Sequence, residues 1–260
     1  MHHFHYVDGR LYCEDVALDT IADAVGTPVY VYSTATLTRH ARVIAEAFAD
    51  IPSLIAFSVK ANGNLGVLAT LAAEGCGADV VSEGEIRRAL AAGIPAERIV
   101  FSGVGKTRAE MAFALETGIH QFNVESAAEL EALSGVATAL DRQAPVALRV
   151  NPDVAAGGHP NISTGKAGDK FGVPWADAPG LFARARDLPG IEPVGVDVHI
   201  GSQIGDLAPM RAAFRKTVDL TRSLRAQGLD ITRIDLGGGL AIPYKDGDQP
   251  APPADYAAMI

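Results

Sequence analysis

The apolar run Ile55-Ala56-Phe57-Ser58-Val59 ends in a lysine, Lys60, and Ala61-Asn62-Gly63-Asn64 then breaks it. Strand-like residues thus carry an amine to the C-terminal end of a strand. Lysine is almost never buried without a partner, so a lysine at the top of a buried strand points to a chemical use. Desolvation lowers a lysine's pKa and leaves a nucleophilic amine at neutral pH, as Schiff-base chemistry requires. Three glycines, Gly237-Gly238-Gly239, follow another such run at Asp235-Leu236. Glycines let backbone N–H groups gather around an anion in a concave nest; a plain strand-to-helix turn needs one glycine and seldom three. His199-Ile200-Gly201-Ser202-Gln203 closes a further run. Its Gly201-Ser202 pair offers a hydroxyl and an amide to the same anion. His199 fits ring stacking or acid–base work, although taken alone it also reads as a hydrogen-bonded core histidine.

An amine, a phosphate nest and a ring-stacking imidazole together match pyridoxal 5'-phosphate, whose aldehyde condenses with a lysine and whose phosphate anchors it. For these groups to meet, the intervening elements must bring them to one edge. The runs that read as strands are Leu54–Val59, Ala78–Val81, Arg98–Ser102, Gln121–Val124, Val146–Val150, Gly195–Ile200 and Arg233–Leu236. Helical stretches separate them: Gly66–Glu74, Glu83–Ala92, Thr107–Thr117, Ser126–Ala139, Ala176–Asp187 and Pro209–Gln227, with a leading helix at Ala35–Ala49. Strand–helix alternation with nearly all-apolar, β-branched strands implies a parallel sheet covered on both faces. A doubly wound sheet would need a switch point and usually has fewer units. The count favours an α/β architecture, a (β/α)8 TIM-type barrel, which uses eight strands over about 250 residues. Only seven are found, so the barrel is expected to be incomplete, its closing strand absent from the chain.

Residues 1–34 do not follow the alternation. Phe4–Leu11 alternates like an exposed edge strand and Val29–Ser33 is a second β-type run, so residues 1–34 read as an arm pairing with another domain or subunit and 35–260 as the barrel. Asn151–Gly172 is the longest irregular stretch, and loops that long are usually functional or disordered.

The chain has 260 residues, 48% of them hydrophobic, and a net charge of -9. That is enough for a large core, and with no Lys/Arg-rich block it argues against nucleic acid as a partner. Two cysteines are too few for a disulfide framework and suit a reducing, cytoplasmic setting. No apolar stretch reaches bilayer length and no signal-peptide pattern opens the chain. His2, His3 and His5 are interrupted by Phe4 and read as a native start rather than a tag or metal tract; no metal site is expected.

In a barrel the useful side chains gather at the C-terminal strand ends, and the polar residues here follow that rule: Lys60; Asp79, Ser82, Glu83 and Glu85; Arg149 and Asn151; His199 and Ser202; Asp235 and the glycines. Phe57–Asn62, Gly77–Glu85, His199–Gln203 and Asp235–Gly239 resemble the signature blocks of the barrel-fold (fold type III) pyridoxal-phosphate decarboxylases, in order and spacing. Within that family, His159-Pro160-Asn161-Ile162-Ser163-Thr164-Gly165 with Lys170-Phe171-Gly172, and the opening Met1–Glu14, resemble the diaminopimelate decarboxylases in particular.

The resemblance implies that Lys60 is the Schiff-base lysine and that His199 stacks on the cofactor ring. It implies phosphate contacts from Ser202, Gly237, Gly238 and Gly239, and a polar network of Asp79, Glu83 and Arg149 behind the ring. That trio also reads as a structural ion-pair layer. The loop with His159, Ser163, Thr164 and Lys170 would line the substrate entrance. The implied reaction is decarboxylation of meso-2,6-diaminopimelate to L-lysine and CO2, the last step of lysine biosynthesis, in a cytoplasmic homodimer. The family's Glu-Pro-Gly-Arg and Cys-Glu blocks, and the tyrosine and arginines that grip the substrate, do not occur here. Residues 1–260 are therefore expected to hold the lysine half of the site, binding the cofactor weakly and not decarboxylating alone. Three other readings stay open: a decarboxylase for ornithine, arginine or carboxynorspermidine; a non-enzymatic pyridoxal-phosphate carrier; and a phosphate-binding barrel enzyme that uses Lys60 on an aldol substrate.

Overall fold

The computed structural model describes residues 2–155, 171–245 and 247–260. The chain opens with an antiparallel sheet of β1 (Phe4–Val7), β2 (Arg10–Cys13) and β3 (Val16–Ala17), followed by α1 (Leu18–Val25). Asp8 and Gly9 join β1 to β2, both at positive φ (48° and 79°), the backbone a two-residue hairpin requires. The single strand expected over Phe4–Leu11 is therefore two strands folded on each other. Val29–Ser33 forms no strand, and its Tyr30 and Tyr32 are exposed. β-propensity reflects fit to a neighbouring strand, and no strand lies beside this run among the described residues. Glu14 ties the arm to α2 (Thr34–Ala47): its Oε1 accepts from Ser33 Oγ at 2.7 Å and from the Ala35 N–H at 2.9 Å.

All seven expected strands are present as β4 (Ala56–Ser58), β5 (Gly77–Val80), β6 (Ile99–Phe101), β7 (Gln121–Val124), β8 (Ala144–Asn151), β10 (Ile191–Asp197) and β11 (Arg233–Asp235). They pair in parallel, in the order β11-β10-β8-β7-β6-β5-β4, with the two-residue β9 (Val173–Pro174) added at the end of β8. The sheet curls through 227°, a barrel open between β4 and β11 among the described residues. The intervening helices are α3 (Leu65–Ala73), α4 (Glu83–Ala91), α5 (Arg108–Thr117), α6 (Ala127–Ala139), α7 (Ala178–Asp187), α8 (Leu207–Ala226) and α9 (Pro253–Met259).

Local chemistry sets the helix starts. Ser82 Oγ accepts from the Glu85 N–H, Ser126 Oγ accepts from the Glu129 N–H, and Thr107 forms a reciprocal capping box with Glu110. Each satisfies backbone donors that a helix N-terminus leaves open. Between sheet and helices lies the main core, where Phe101, Phe122, Phe182, Leu130 and Leu148 are fully buried. α9 packs across α2 and α8, with the Tyr256 ring 6.0 Å from Phe48 and 6.1 Å from Phe214. The helical layer thus meets itself at α9 and α2, where the strand layer is open. Among the described residues no helix is long and apolar enough to cross a membrane.

Candidate active site

Arg149 on β8 and Asp235 on β11 are both register partners of Asp197 on β10. In-register residues of parallel neighbours point to the same face. That face is the barrel interior: Asn123 on β7 donates to Asp235 Oδ2 at 2.9 Å, although β7 and β11 are not adjacent in the sheet. Asn123 also donates to Ser102 Oγ at 3.3 Å and accepts from Gln121 at 2.8 Å. Ser58 donates to Asp79 Oδ2 at 2.8 Å. Arg149 donates to Glu125 Oε2 at 3.1 Å, and its Nε lies 3.9 Å from Asp197 Oδ2. One polar layer therefore runs beneath the rim from β4 to β11.

Acids crowd this layer. Burial pushes Asp197 well above the usual carboxylate range, and the charge of Asp235 adds to the effect while Arg149 opposes it. Burial also raises Asp79, against hydrogen bonds from Ser102 and Ser58. His199 moves the other way. Burial first, then the charges of Arg149 and Lys60, bring its pKa down to about 4, so the imidazole is neutral at neutral pH. Because the folded pKa is depressed from 6.5, the stability contributed by the neutral ring is whole above pH 6.5 and is lost as pH falls through about 4. An NMR titration should place the His199 midpoint near 4; a midpoint at the ordinary histidine value would contradict this electrostatic picture.

Lys60 departs from the sequence expectation. It lies in the 3-10 turn Val59–Ala61 just past β4 and is exposed, not buried. β4 is an edge strand, so nothing among the described residues covers the amine from the open side. Its charge still reaches Asp79 and His199, which places all three at one end of the barrel.

Glu83 does not join Asp79 and Arg149. It begins α4, and its carboxylate accepts from Arg87 Nε at 2.8 Å, one helical turn away. The glutamate that meets Arg149 is Glu125, at the end of β7 and 5% exposed. Glu125, Asn123 and Asp197 escape the sequence reading, which places Asp235 at the rim but not in this network, although Gln121-Phe122-Asn123-Val124-Glu125 alternates polar and apolar residues as an inward-facing strand would. His159, Ser163, Thr164 and Lys170 lie outside the described residues.

The loops after β10 and β11 form one unit. Gln203 donates to the Ile242 carbonyl at 3.1 Å and accepts from the Ile242 N–H at 3.0 Å, while the Ile204 N–H donates to the Gly239 carbonyl at 2.8 Å. Gly237 (φ +67°) lies so close that a Cβ there would stand 2.6 Å from the Val198 carbonyl and 2.8 Å from His199 Nδ1. At Gly239 (φ +98°) a Cβ would fall on the Gly201 carbonyl oxygen. Gly238 and Ser202 are exposed beside them. An accessible amine, a neutral imidazole and a glycine nest next to that imidazole fit a flat aromatic aldehyde bearing a phosphate.

Comparison with known proteins agrees with this fit. Residues 34–260 match the model of the family described as pyridoxal-dependent decarboxylase, pyridoxal binding domain. The chain is 50% identical over 257 residues to a diaminopimelate decarboxylase of Pseudomonas aeruginosa and 51% identical over 262 residues to that of Zymomonas mobilis, in each case over 99% of this chain. It spans 62% of the length of these curated relatives. Among solved structures, diaminopimelate decarboxylase from M. jannaschii superposes with a TM-score of 0.92 at 36% identity, covering 99% of this chain and 61% of that one. The Helicobacter pylori enzyme, complexed with L-lysine, superposes with a TM-score of 0.90 at 40% identity, over 93% and 61%. The chain belongs to the pyridoxal-dependent decarboxylases and carries their pyridoxal-binding domain.

Proposed function

We propose that in the full-length protein this domain holds pyridoxal 5'-phosphate for the decarboxylation of meso-2,6-diaminopimelate to L-lysine and CO2. The observation that carries this reading is the convergence of Lys60, His199 and the glycine nest at one barrel rim, in a chain half identical to diaminopimelate decarboxylases. When bound, the cofactor supplies the electron sink for the carbanion that loss of CO2 leaves. The chain's own residues bind and orient it. Lys60 would hold the cofactor through its aldehyde group, and the exposure of this amine leaves room beside it for a substrate amine. His199, neutral and packed against Gly237, offers a flat face to the ring without adding charge. Gly238, Gly239 and Ser202 hold the phosphate. Asp79, Arg149 and Glu125 form the polar floor, Glu125 taking the part that the resemblance gives to Glu83. Orientation and a pre-set electrostatic floor are what the protein contributes.

The loop with His159, Ser163, Thr164 and Lys170 would face the substrate, residues 1–34 would pair with a further β-domain, and the working form would be a cytoplasmic homodimer. The test is CO2 release by the full-length protein from meso-diaminopimelate, ornithine, arginine and carboxynorspermidine. Turnover of diaminopimelate above the other three is expected. Preference for another substrate would reassign the specificity, and a yellow protein inactive on all four would identify a carrier.

A further inference from the structure

Asp235 ends β11, two residues before Gly237, and both of its oxygens are engaged. Oδ1 accepts the Gly237 N–H at 2.8 Å, and Oδ2 accepts from Asn123 across the barrel at 2.9 Å. Asn123 is 2% exposed and is itself held by Gln121, 3% exposed. A buried chain of hydrogen bonds thus runs from β7 through the interior to the first glycine of the nest. The Gly237 N–H is used within the protein, whereas the N–H groups of Gly238 and Gly239 make no hydrogen bond among the described residues. The same bond draws the loop down onto Val198 and His199, the close approach that excludes a Cβ at Gly237.

We propose that Asp235 is a positioning residue for the phosphate: it holds the Gly237 N–H from inside the barrel and so presents the Gly238 and Gly239 N–H groups to the anion. This rests on the reading that the nest receives the cofactor's phosphate. A bare carboxylate this close would repel an anion. Here each oxygen faces an N–H donor, and the Gly237 amide stands between the carboxylate and the nest. The acid acts through that amide and not by touching the cofactor.

The effect is specific to the phosphate, which gives a clean test. In the full-length protein, dissociation constants for pyridoxal 5'-phosphate and for pyridoxal, which lacks the phosphate, are measured by visible absorbance. Asp235→Ala should weaken pyridoxal 5'-phosphate about tenfold or more, the usual scale for losing a buried hydrogen-bond partner, and leave pyridoxal nearly unchanged. Asp235→Asn keeps an acceptor for Gly237 but sets two amide NH2 groups against each other, so it should fall between. The exchange Asp235→Asn with Asn123→Asp restores the donor–acceptor pair and should recover most of the wild-type affinity. Equal loss for both ligands, or no loss, in a variant that unfolds at the wild-type temperature would overturn the proposal. If Asp235→Ala does not fold, an exchange no better than Asp235→Asn alone would overturn it instead. Wild-type protein that binds neither ligand would overturn the cofactor reading, and this assignment with it.

Discussion

Lys60→Ala in the full-length protein should abolish covalent capture of pyridoxal phosphate and lower decarboxylation by roughly three orders of magnitude or more, the scale seen when a covalent catalytic group is removed. Covalent capture depends on which amines can reach the nest. Two lysines lie just past barrel strands, Lys60 after β4 and Lys106 after β6. Lys106 cannot substitute. Its Nζ is fully buried and donates to Gly103 O at 2.6 Å, Asn123 O at 2.8 Å and Glu129 Oε1 at 2.7 Å. Lys216 is also engaged, donating to the Pro152 carbonyl at 2.7 Å. Among the described residues, Lys60 alone combines an exposed amine with proximity to Asp79 and His199. Borohydride reduction followed by peptide mass analysis reads the outcome directly. The wild type should carry the reduced cofactor on the peptide containing Lys60, and the alanine variant on none. Label at another lysine, or activity within tenfold of wild type, would remove Lys60 from its role.

The same residue shows what a sequence can and cannot convey. That Lys60 ends a strand is written in five apolar neighbours and a following Asn-Gly-Asn. That β4 lies at the edge of the sheet, leaving the amine open, depends on which strands flank it and appears only in the assembled sheet. Most of the barrel strands are legible because a strand buried on both faces is nearly all apolar, whereas β7 alternates polar and apolar residues. The expected strand Gly195–Ile200 starts four residues after β10 does and runs three past its end, because Glu192-Pro193 looks like a loop; the ladder does shift register between Pro193 and Gly195. α1 was missed because its N-cap, Ala17, has no side chain that caps. The Asp8-Gly9 hairpin was there to be seen and was read through as one strand. The resemblance puts Glu83 in the polar network, but at the first turn of α4 its side chain pairs along the helix with Arg87. The bond from Asn123 to Asp235 joins residues 112 apart, a contact that only barrel closure creates.

The buried pair between Lys106 and Glu129 should be the most sensitive point of the scaffold, and Lys106→Met should destabilise the full-length protein by about 3–5 kcal/mol, the usual cost of leaving one buried charge without its partner. The two side chains are 0% and 9% exposed and 2.7 Å apart. Burial, and to a lesser degree the charge of Glu125, raises the Glu129 pKa, and Lys106 is the largest influence holding it down. Without the ammonium, a carboxylate remains in the interior with only the Glu125 N–H to satisfy it. Methionine would fill the space of the lysine stem, so the loss is electrostatic and not a cavity. Adding Glu129→Gln removes the orphaned charge while keeping an acceptor for the Glu125 N–H, and the double variant should recover most of the deficit. The pH dependence has a definite sign. A carboxyl whose folded pKa is raised above 4.5 contributes stability that is whole below that value and is lost as pH rises through the folded pKa. The deficit of Lys106→Met should therefore shrink as pH falls from neutral toward 4.5, whereas that of the double variant should stay flat. Urea unfolding at several pH values checks both. A single variant as stable as the wild type, or a double variant worse than the single, would show that the pair is not what holds the ends of β6 and β7 together. The effect should also reach the site, because Lys106 grips the Asn123 carbonyl while the Asn123 side chain holds Asp235: slack introduced at Lys106 is transmitted through one residue to the floor of the phosphate nest.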